Sequence, residues 1–177
     1  VFMFYVTTYS SPLGILILLC NDQALLGVFQ NGQKYFPETL ISKAIFKEHH
    51  PILEQASNWL DRYFKGQKPN PLELPLEPQG TPFQKEVWHL LLEIPYGKVT
   101  TYQEIAKALA EKRKGKTMSC QAVGSAIGHN PLAIIIPCHR VIGKNGTLTG
   151  YALGIEKKKF LLTLEQEARN QTSRIKD

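Results

Sequence analysis

Between residues 66 and 80 this 177-residue chain carries four prolines, Pro69, Pro71, Pro75 and Pro78, bracketed by Gly66 and Gly80. Neither a helix interior nor a central strand runs through such a stretch, because each proline fixes φ and lacks the amide proton. The core is therefore expected in two pieces, a domain over residues 1–79 that includes the proline-rich linker and a second over 80–177. The first piece reads as β then α. Residues 4–8, 15–20 and 24–29 are strand-like, separated by Ser10-Ser11-Pro12 and Asn21-Asp22, and Asn31-Gly32 marks a further turn. Pro51 opens a segment in which Ile52, Leu53, Ala56, Leu60, Tyr63 and Phe64 recur at helical spacing, with Gly66 just past its end.

The second piece starts on a capping box. Thr81-Pro82-Phe83-Gln84 supplies an N-cap threonine, a proline at the first helical position and a glutamine able to reach back. The helix it opens is expected to bury Phe83, Val87, Leu90, Leu91 and Ile94 before Pro95-Tyr96-Gly97 stops it. Thr101-Tyr102-Gln103-Glu104 predicts a second capping box, with Ile105, Ala106 and Leu109 turned inward. A basic loop follows, Lys112-Arg113-Lys114-Gly115-Lys116, and then a third helix over about residues 119–128. Its inner face is expected to carry Cys120, Val123 and Ile127. Its outer face shows Gln121, Ser125 and Gly128, with Gly124 at the border. A helix–turn–helix is one reading of this order. The small, nearly uncharged outer face suits either tight helix packing or close, shape-based contact with a DNA groove.

Charge falls unevenly across the two pieces. Residues 1–80 hold six Lys/Arg against seven Asp/Glu, residues 81–160 twelve against five, and the tail three against three. A basic excess confined to one domain is the footprint of a protein that meets a polyanion, or simply of a well-solvated surface. Cys20, Cys120 and Cys138 are odd in number and form no CxxC pair. A disulfide framework or four-cysteine zinc site is not expected, and a reducing cytoplasm is the natural setting. Apolar runs are too short to span a bilayer and no charged-then-apolar leader opens the sequence, so no membrane partner is expected.

Residues 134–141 concentrate the chemistry: Ile134-Ile135-Ile136, then Pro137-Cys138-His139-Arg140-Val141. The isoleucine run reads as a buried strand, and Pro137 restrains the residue before it so that the Cys138 side chain is aimed. A thiol attacks only as thiolate and needs a base or a positive charge nearby. His139 is adjacent, yet neighbours on an extended chain point apart, so contact requires a turn or a bridging water. A third group should hold the imidazole. Glu165, on a final helix beside Phe160, Leu161, Leu164 and Ala168, is a candidate, and Asn130 is a candidate brace for the Cys138 turn. Spacing alone assigns neither.

At this point the sequence resembles the O6-alkylguanine-DNA alkyltransferases (methylated-DNA–protein-cysteine methyltransferases). The resemblance rests on residues 137–141 and on Ser11-Pro12-Leu13-Gly14, Gly80-Thr81-Pro82-Phe83-Gln84, Val87-Trp88, Ile94-Pro95-Tyr96-Gly97, Thr101-Tyr102, Ala122-Val123-Gly124, Asn130-Pro131 and Gly150-Tyr151, nearly the whole chain. It implies an α/β (α+β) fold: a small RNase H-like sheet-plus-helix domain, then a mainly helical domain with a winged helix–turn–helix. It implies direct-reversal repair by a single-turnover enzyme. An alkylated guanine is flipped out of the duplex and its alkyl group moves irreversibly to Cys138, with O4-alkylthymine a second candidate substrate. His139 would take the thiol proton through a water, Glu165 would orient His139, Asn130 would brace the turn, and Tyr102 would donate to guanine N3. The carbonyls of Cys138 and Val141 would read the exocyclic amine, and the loop with Tyr151 and Ala152 would close the pocket. Thr101, Gln121, Ala122, Gly124, Ser125 and Arg140 would lie against DNA. No cofactor is implied, because the nucleophile is consumed, and the partner is double-stranded DNA containing O6-alkylguanine, met by a monomer.

The chain also departs from its family. Gln121 stands where relatives commonly place the arginine that fills the gap left by the flipped base. The interval from Tyr102 to Gln121 is longer than usual and carries Lys112, Arg113, Lys114 and Lys116, expected to contact phosphates. Some relatives hold zinc in the first domain; here only Cys20, His49 and His50 offer soft ligands, one short of four, so no zinc is expected. Ala133 and Ala152 suggest room for larger adducts. Two rivals remain: a protein that flags damage without repairing it, which would lack the reactive cysteine, and a Cys-His-Glu hydrolase, which would turn over repeatedly.

Overall fold

The computed structural model describes residues 3–115 and 118–176, with side chains to residue 171. The chain forms two compact units, residues 1–79 with 131–135, and residues 80–130 with 136–177. No helix among the described residues is long and apolar enough to cross a membrane.

The first unit is built on β1 (Tyr5–Ser11), β2 (Gly14–Cys20) and β3 (Leu25–Phe29), followed by a short α1 (Glu38–Lys43), β4 (Ile45–Phe46) and α2 (Pro51–Phe64). The sheet order is β3-β2-β1-β4, antiparallel throughout except for the parallel β1–β4 pair. Gly14 turns the first hairpin with φ of 104°, a conformation that excludes most side chains. β3 is buried along its whole length, so it reads as an unbroken apolar run rather than an alternation. Ile52, Leu53, Ala56, Trp59, Leu60 and Tyr63 form the buried stripe of α2, which packs on the sheet. His50 caps that helix by accepting the Ile52 amide proton.

The proline-rich segment is not a free linker. The Leu25 N–H donates to the Pro75 carbonyl (2.7 Å), and Glu77 N–H donates back to Leu25 (3.0 Å). Proline lacks a donor but keeps its carbonyl, so such a stretch can still line a strand edge. Farther along β3, Val28 N–H donates to Pro131 (2.9 Å) and pairs in parallel with Leu132. The isoleucine run that follows is not the strand expected from its composition. It forms a buried turn, with Ile134 at φ 72°. A β-branched residue in that region costs on the order of 1–2 kcal/mol, and the complete burial of Ile135 and Ile136 holds it there.

The second unit contains α3 (Pro82–Leu91), β5 (Thr100–Thr101), α4 (Tyr102–Lys112), α5 (Cys120–Gly128), β6 (Val141–Ile142) and α6 (Ile155–Lys176). Both halves of the Thr81–Gln84 capping box form. α3 stops at Leu91, and Ile94 is buried in the turn beyond it. Trp88 anchors α3 to α5, its indole N–H donating to the Ala126 carbonyl (2.8 Å). The Thr101–Glu104 box is only half made: Thr101 caps α4, but the Glu104 carboxylate takes the Thr100 hydroxyl proton instead. Thr101 already belongs to the parallel β5–β6 ladder, which pairs Thr100 with Val141 and Thr101 with Ile142. On α5, Val123, Ala126 and Ile127 face inward, whereas Cys120 is exposed. It occupies the first helical position, before the buried stripe begins.

Candidate active site

The β5–β6 ladder fixes two site elements against each other. Tyr102 follows β5 directly, and β6 directly follows a tight helical turn over Cys138, His139 and Arg140. That turn is what an extended chain could not supply. Cys138 N–H donates to the Ile136 carbonyl (2.8 Å), and the buried Asn130 amide donates to the same oxygen (2.8 Å). Asn130 thus holds the turn that carries the thiol. Burial pushes the Cys138 thiol up, and a hydrogen bond from Asn130, the Lys158 charge and nearby backbone amides offset only part of that. At neutral pH Cys138 is therefore a thiol.

Glu165 organises the polar floor. It is 1% exposed, and its carboxylate accepts from His139 Nε2 (2.5 Å), Arg140 Nε (2.8 Å), Arg140 Nη2 (3.2 Å) and the Gly97 N–H (3.1 Å). Gly97 lies at φ 77°, and a Cβ there would come within 3.2 Å of Arg169. The Pro95-Tyr96-Gly97 turn therefore brings its amide to Glu165 where most other residues would strain it. Burial raises the Glu165 carboxyl, but the bond from His139, the charge that imidazole takes up at low pH and the Arg140 charge outweigh it and hold the group at about 2. Because that carboxylate stays ionised, His139 presents Nε2–H to it and keeps its lone pair on Nδ1. Burial also lowers the His139 pKa, Glu165 opposing this in part. The imidazole is neutral at neutral pH.

Arg140 was expected against DNA, and the structure places it elsewhere. It is 7% exposed, spends Nε and Nη2 on Glu165 and Nη1 on the Ile94 carbonyl (2.7 Å), and lies over the Tyr96 ring. A buried carboxylate needs a buried cation, and that pairing turns the guanidinium inward. Arg113 is partly committed too, bonding Glu86 (2.6 Å) and stacking on Phe83. Lys112 and Lys114 are exposed, and Lys116 lies outside the described residues.

The Tyr102 hydroxyl donates to the Thr149 carbonyl (3.3 Å). Val141 is fully buried in β6, and Ala152 is half-buried. The Tyr151 hydroxyl oxygen is buried without a hydrogen-bond partner among the described residues. Burial, then the nearby Cys138 and Glu165, hold the Tyr151 phenol protonated. A buried donor with no acceptor is costly unless a ligand supplies one. Gln121, Ala122 and Ser125 are exposed on α5, with Gly124 and Thr101 half-buried. Thr101, Tyr102, Lys107, Cys120 and Lys144 are among the residues lining an open cleft of about 580 Å³ beside that helix.

The soft ligands of the first unit do not converge. Cys20 Sγ lies 3.5 Å from His50 Nδ1, which also accepts the Ile52 amide proton, while His49 pairs with Glu54. Among the described residues no three such side chains cluster.

Sequence reasoning missed Lys158. The inward line of α6 is Lys158, Leu161 and Glu165, each at most 1% exposed, whereas Phe160 is 41% exposed. The signal was present: positions 158, 161 and 165 are one helical face, and a lysine there breaks the apolar pattern.

Residues 4–78 match the family model of the 6-O-methylguanine DNA methyltransferase ribonuclease-like domain, and residues 82–167 that of the DNA-binding domain. The methylated-DNA–protein-cysteine methyltransferase of Methanosarcina acetivorans is 43% identical over 164 residues, 91% of this chain and 97% of its own length. Among solved structures, the O6-methylguanine methyltransferase of Mycobacterium tuberculosis aligns with a TM-score of 0.79 at 38% identity, covering 94% of both chains. The OGT of that organism in complex with DNA gives 0.76 at 36%, again over 94% of both. With two adjoining family models covering nearly its whole length and a buried Cys138 beside a His139–Glu165–Arg140 cluster, this chain belongs to the methylated-DNA–protein-cysteine (6-O-methylguanine DNA) methyltransferase family.

Proposed function

We propose that the chain binds duplex DNA, flips an O6-alkylguanine into the space above Cys138 and takes its alkyl group once, restoring guanine. The observation that carries this reading is the buried Glu165, which fixes a neutral His139 beside the turn that presents Cys138. The thiol proton passes through a water to His139 Nδ1 as sulfur bonds to the alkyl carbon. The carbon–O6 bond breaks, and its electrons pass to the guanine ring. Tyr102 supplies a proton at N3, so the base leaves neutral. Tyr151 offers its unused O–H to the base, the carbonyls of Cys138 and Val141 read the exocyclic amine, and Ala152 walls the pocket. Thr101, Gln121, Ala122, Gly124 and Ser125 meet the DNA backbone and groove. The thioether cannot be cleaved by this chemistry, so one chain acts once, as a monomer and without a cofactor. Three free thiols suit a reducing compartment such as the cytoplasm.

Mass measurement after incubation with a duplex containing O6-methylguanine tests the reading. One added methyl group located on Cys138, with no further turnover, is the expected result. An unchanged mass alongside tight binding would instead mark a damage-flagging protein, and repeated ester cleavage a hydrolase.

Two features of the DNA-facing side lead to predictions. Gln121 is exposed in the first turn of α5; it can hydrogen-bond an orphaned base but brings neither charge nor stacking area. Gln121→Arg should raise the single-turnover transfer rate about fivefold, the effect of roughly 1 kcal/mol in the flipped state. A slower variant would show that Gln121 is matched to its site. Neutralising Lys112, Arg113, Lys114 and Lys116 together should flatten the log–log salt dependence of duplex binding by about 2.7, the value for three phosphate contacts, because Arg113 already pairs with Glu86. An unchanged slope removes the basic loop from the interface.

A further inference from the structure

Lys158 is a fully buried lysine in the first turn of α6. Its Nζ donates to the Thr149 carbonyl (2.9 Å) and approaches the Gly150 carbonyl (3.4 Å), and it lies 5.9 Å from the centre of the Tyr102 ring. Among the described residues no carboxylate bonds it: Glu165, on the same face of α6, is already matched by Arg140 and His139. A buried ammonium without an anion is rare, because desolvation costs several kcal/mol. The ionisable groups near it are Cys138 and His139 from the reactive turn and Tyr102 from α4, while Tyr151, from the segment it holds, lies near Cys138 itself. His139 is neutral, Tyr151 is held protonated and Tyr102 donates to the Thr149 carbonyl. Cys138 is left as the group that becomes an anion during the reaction. Tyr151 and Ala152 sit between Gly150 (φ 33°) and Gly154 (φ 106°), two positions where the backbone turns left-handed.

The geometry points to Lys158 as a positioning residue for alkyl transfer, its ammonium holding the 149–150 carbonyls while offsetting the negative charge that forms on the Cys138 sulfur. This rests on the alkyl-transfer reading above, but it makes a separate claim about the thiol. Burial lowers the Lys158 pKa and the Cys138 charge raises it, so the two groups favour one another's ionised form. The strap that closes over the base and the reactivity of the sulfur are thereby tied to one side chain.

The test is the pH dependence of Cys138 alkylation by iodoacetamide, read by peptide mass so that the exposed Cys120 does not interfere, on the full chain without DNA. Lys158→Gln can still donate to the carbonyls but carries no charge. Its Cys138 titration midpoint should rise by about one pH unit, with reactivity near neutral pH about tenfold lower. Lys158→Arg should return most of that shift. Thermal unfolding of each variant checks the fold, and Lys158→Met serves as a second uncharged variant if the glutamine does not fold. A midpoint equal to that of the unaltered chain in the uncharged variant, or an arginine variant displaced as far as the glutamine, overturns the proposal. Because iodoacetamide needs no DNA, a midpoint shift supports the Lys158 role even where the methyl-transfer experiment fails.

Discussion

Cys138→Ser should abolish alkyl transfer while leaving duplex binding within about twofold and the fold intact. Serine fits where cysteine stood, so no cavity opens in a turn held by Asn130 and the Ile136 carbonyl. The chemistry is what changes. Burial already pushes the thiol up, and a serine hydroxyl is a far weaker acid that a neutral imidazole cannot deprotonate before the alkyl carbon is attacked. The expected loss is three orders of magnitude or more, roughly the scale seen when a nucleophile is removed from a coupled catalytic group. Single-turnover transfer from an O6-methylguanine duplex, run beside a binding titration, separates the two effects. If Cys138→Ser still acquired methyl on the protein at a comparable rate, the acceptor would lie elsewhere, with Cys120 the exposed thiol to examine.

Glu165→Gln should damage activity and stability together, and the pH dependence identifies the cause. The carboxylate receives His139, both bonding nitrogens of Arg140 and the Gly97 amide. An uncharged amide leaves the buried Arg140 cation without its counter-charge and turns two donors toward other donors. Removing one partner of a buried pair costs about 3–5 kcal/mol, or a fall in Tm of roughly 10 °C for a chain of this size. Transfer should slow about a hundredfold or more, because His139 loses the bond that fixes its tautomer. Glu165 is depressed to about 2 in the folded chain, against an ordinary carboxyl near 4.3 when unfolded. Its contribution is thus fully present above about pH 4.3 and is lost as pH falls through about 2. His139, lowered by burial, acts in the same sense below its ordinary value: the unfolded chain binds the proton first, so stability falls with pH. Thermal unfolding followed from pH 7 to 3 should therefore decline more steeply for the unaltered chain than for Glu165→Gln below pH 5. Parallel curves would mean that the fold does not depress the Glu165 carboxyl.

Much of this arrangement was legible from local rules, and its failures have identifiable causes. The Thr81 capping box formed because every partner lies within one helical turn. Its counterpart at Thr101 half failed because a long-range ladder had already engaged that residue. Cys120 was assigned inward by period alone, but a helix's first position precedes its buried stripe. Residues 134–136 looked like a strand because composition cannot separate a buried turn from a buried strand when β-branched residues fill both. The resemblance placed Arg140 against DNA, and a surface arginine and a buried one read identically in sequence.

Local rules account for the helical caps, the basic second half and the adjacency of Cys138 and His139, all features set by residues a few positions apart or by bulk charge. Tertiary structure decided which groups became buried. Glu165 stands 26 residues from His139 and 68 from Gly97, and no local rule predicts that one carboxylate takes up four donors. Charge compensation in a low-dielectric interior is a property of the assembled set. That requirement drew Arg140 inward to Glu165, and it leaves the buried ammonium of Lys158 facing the sulfur.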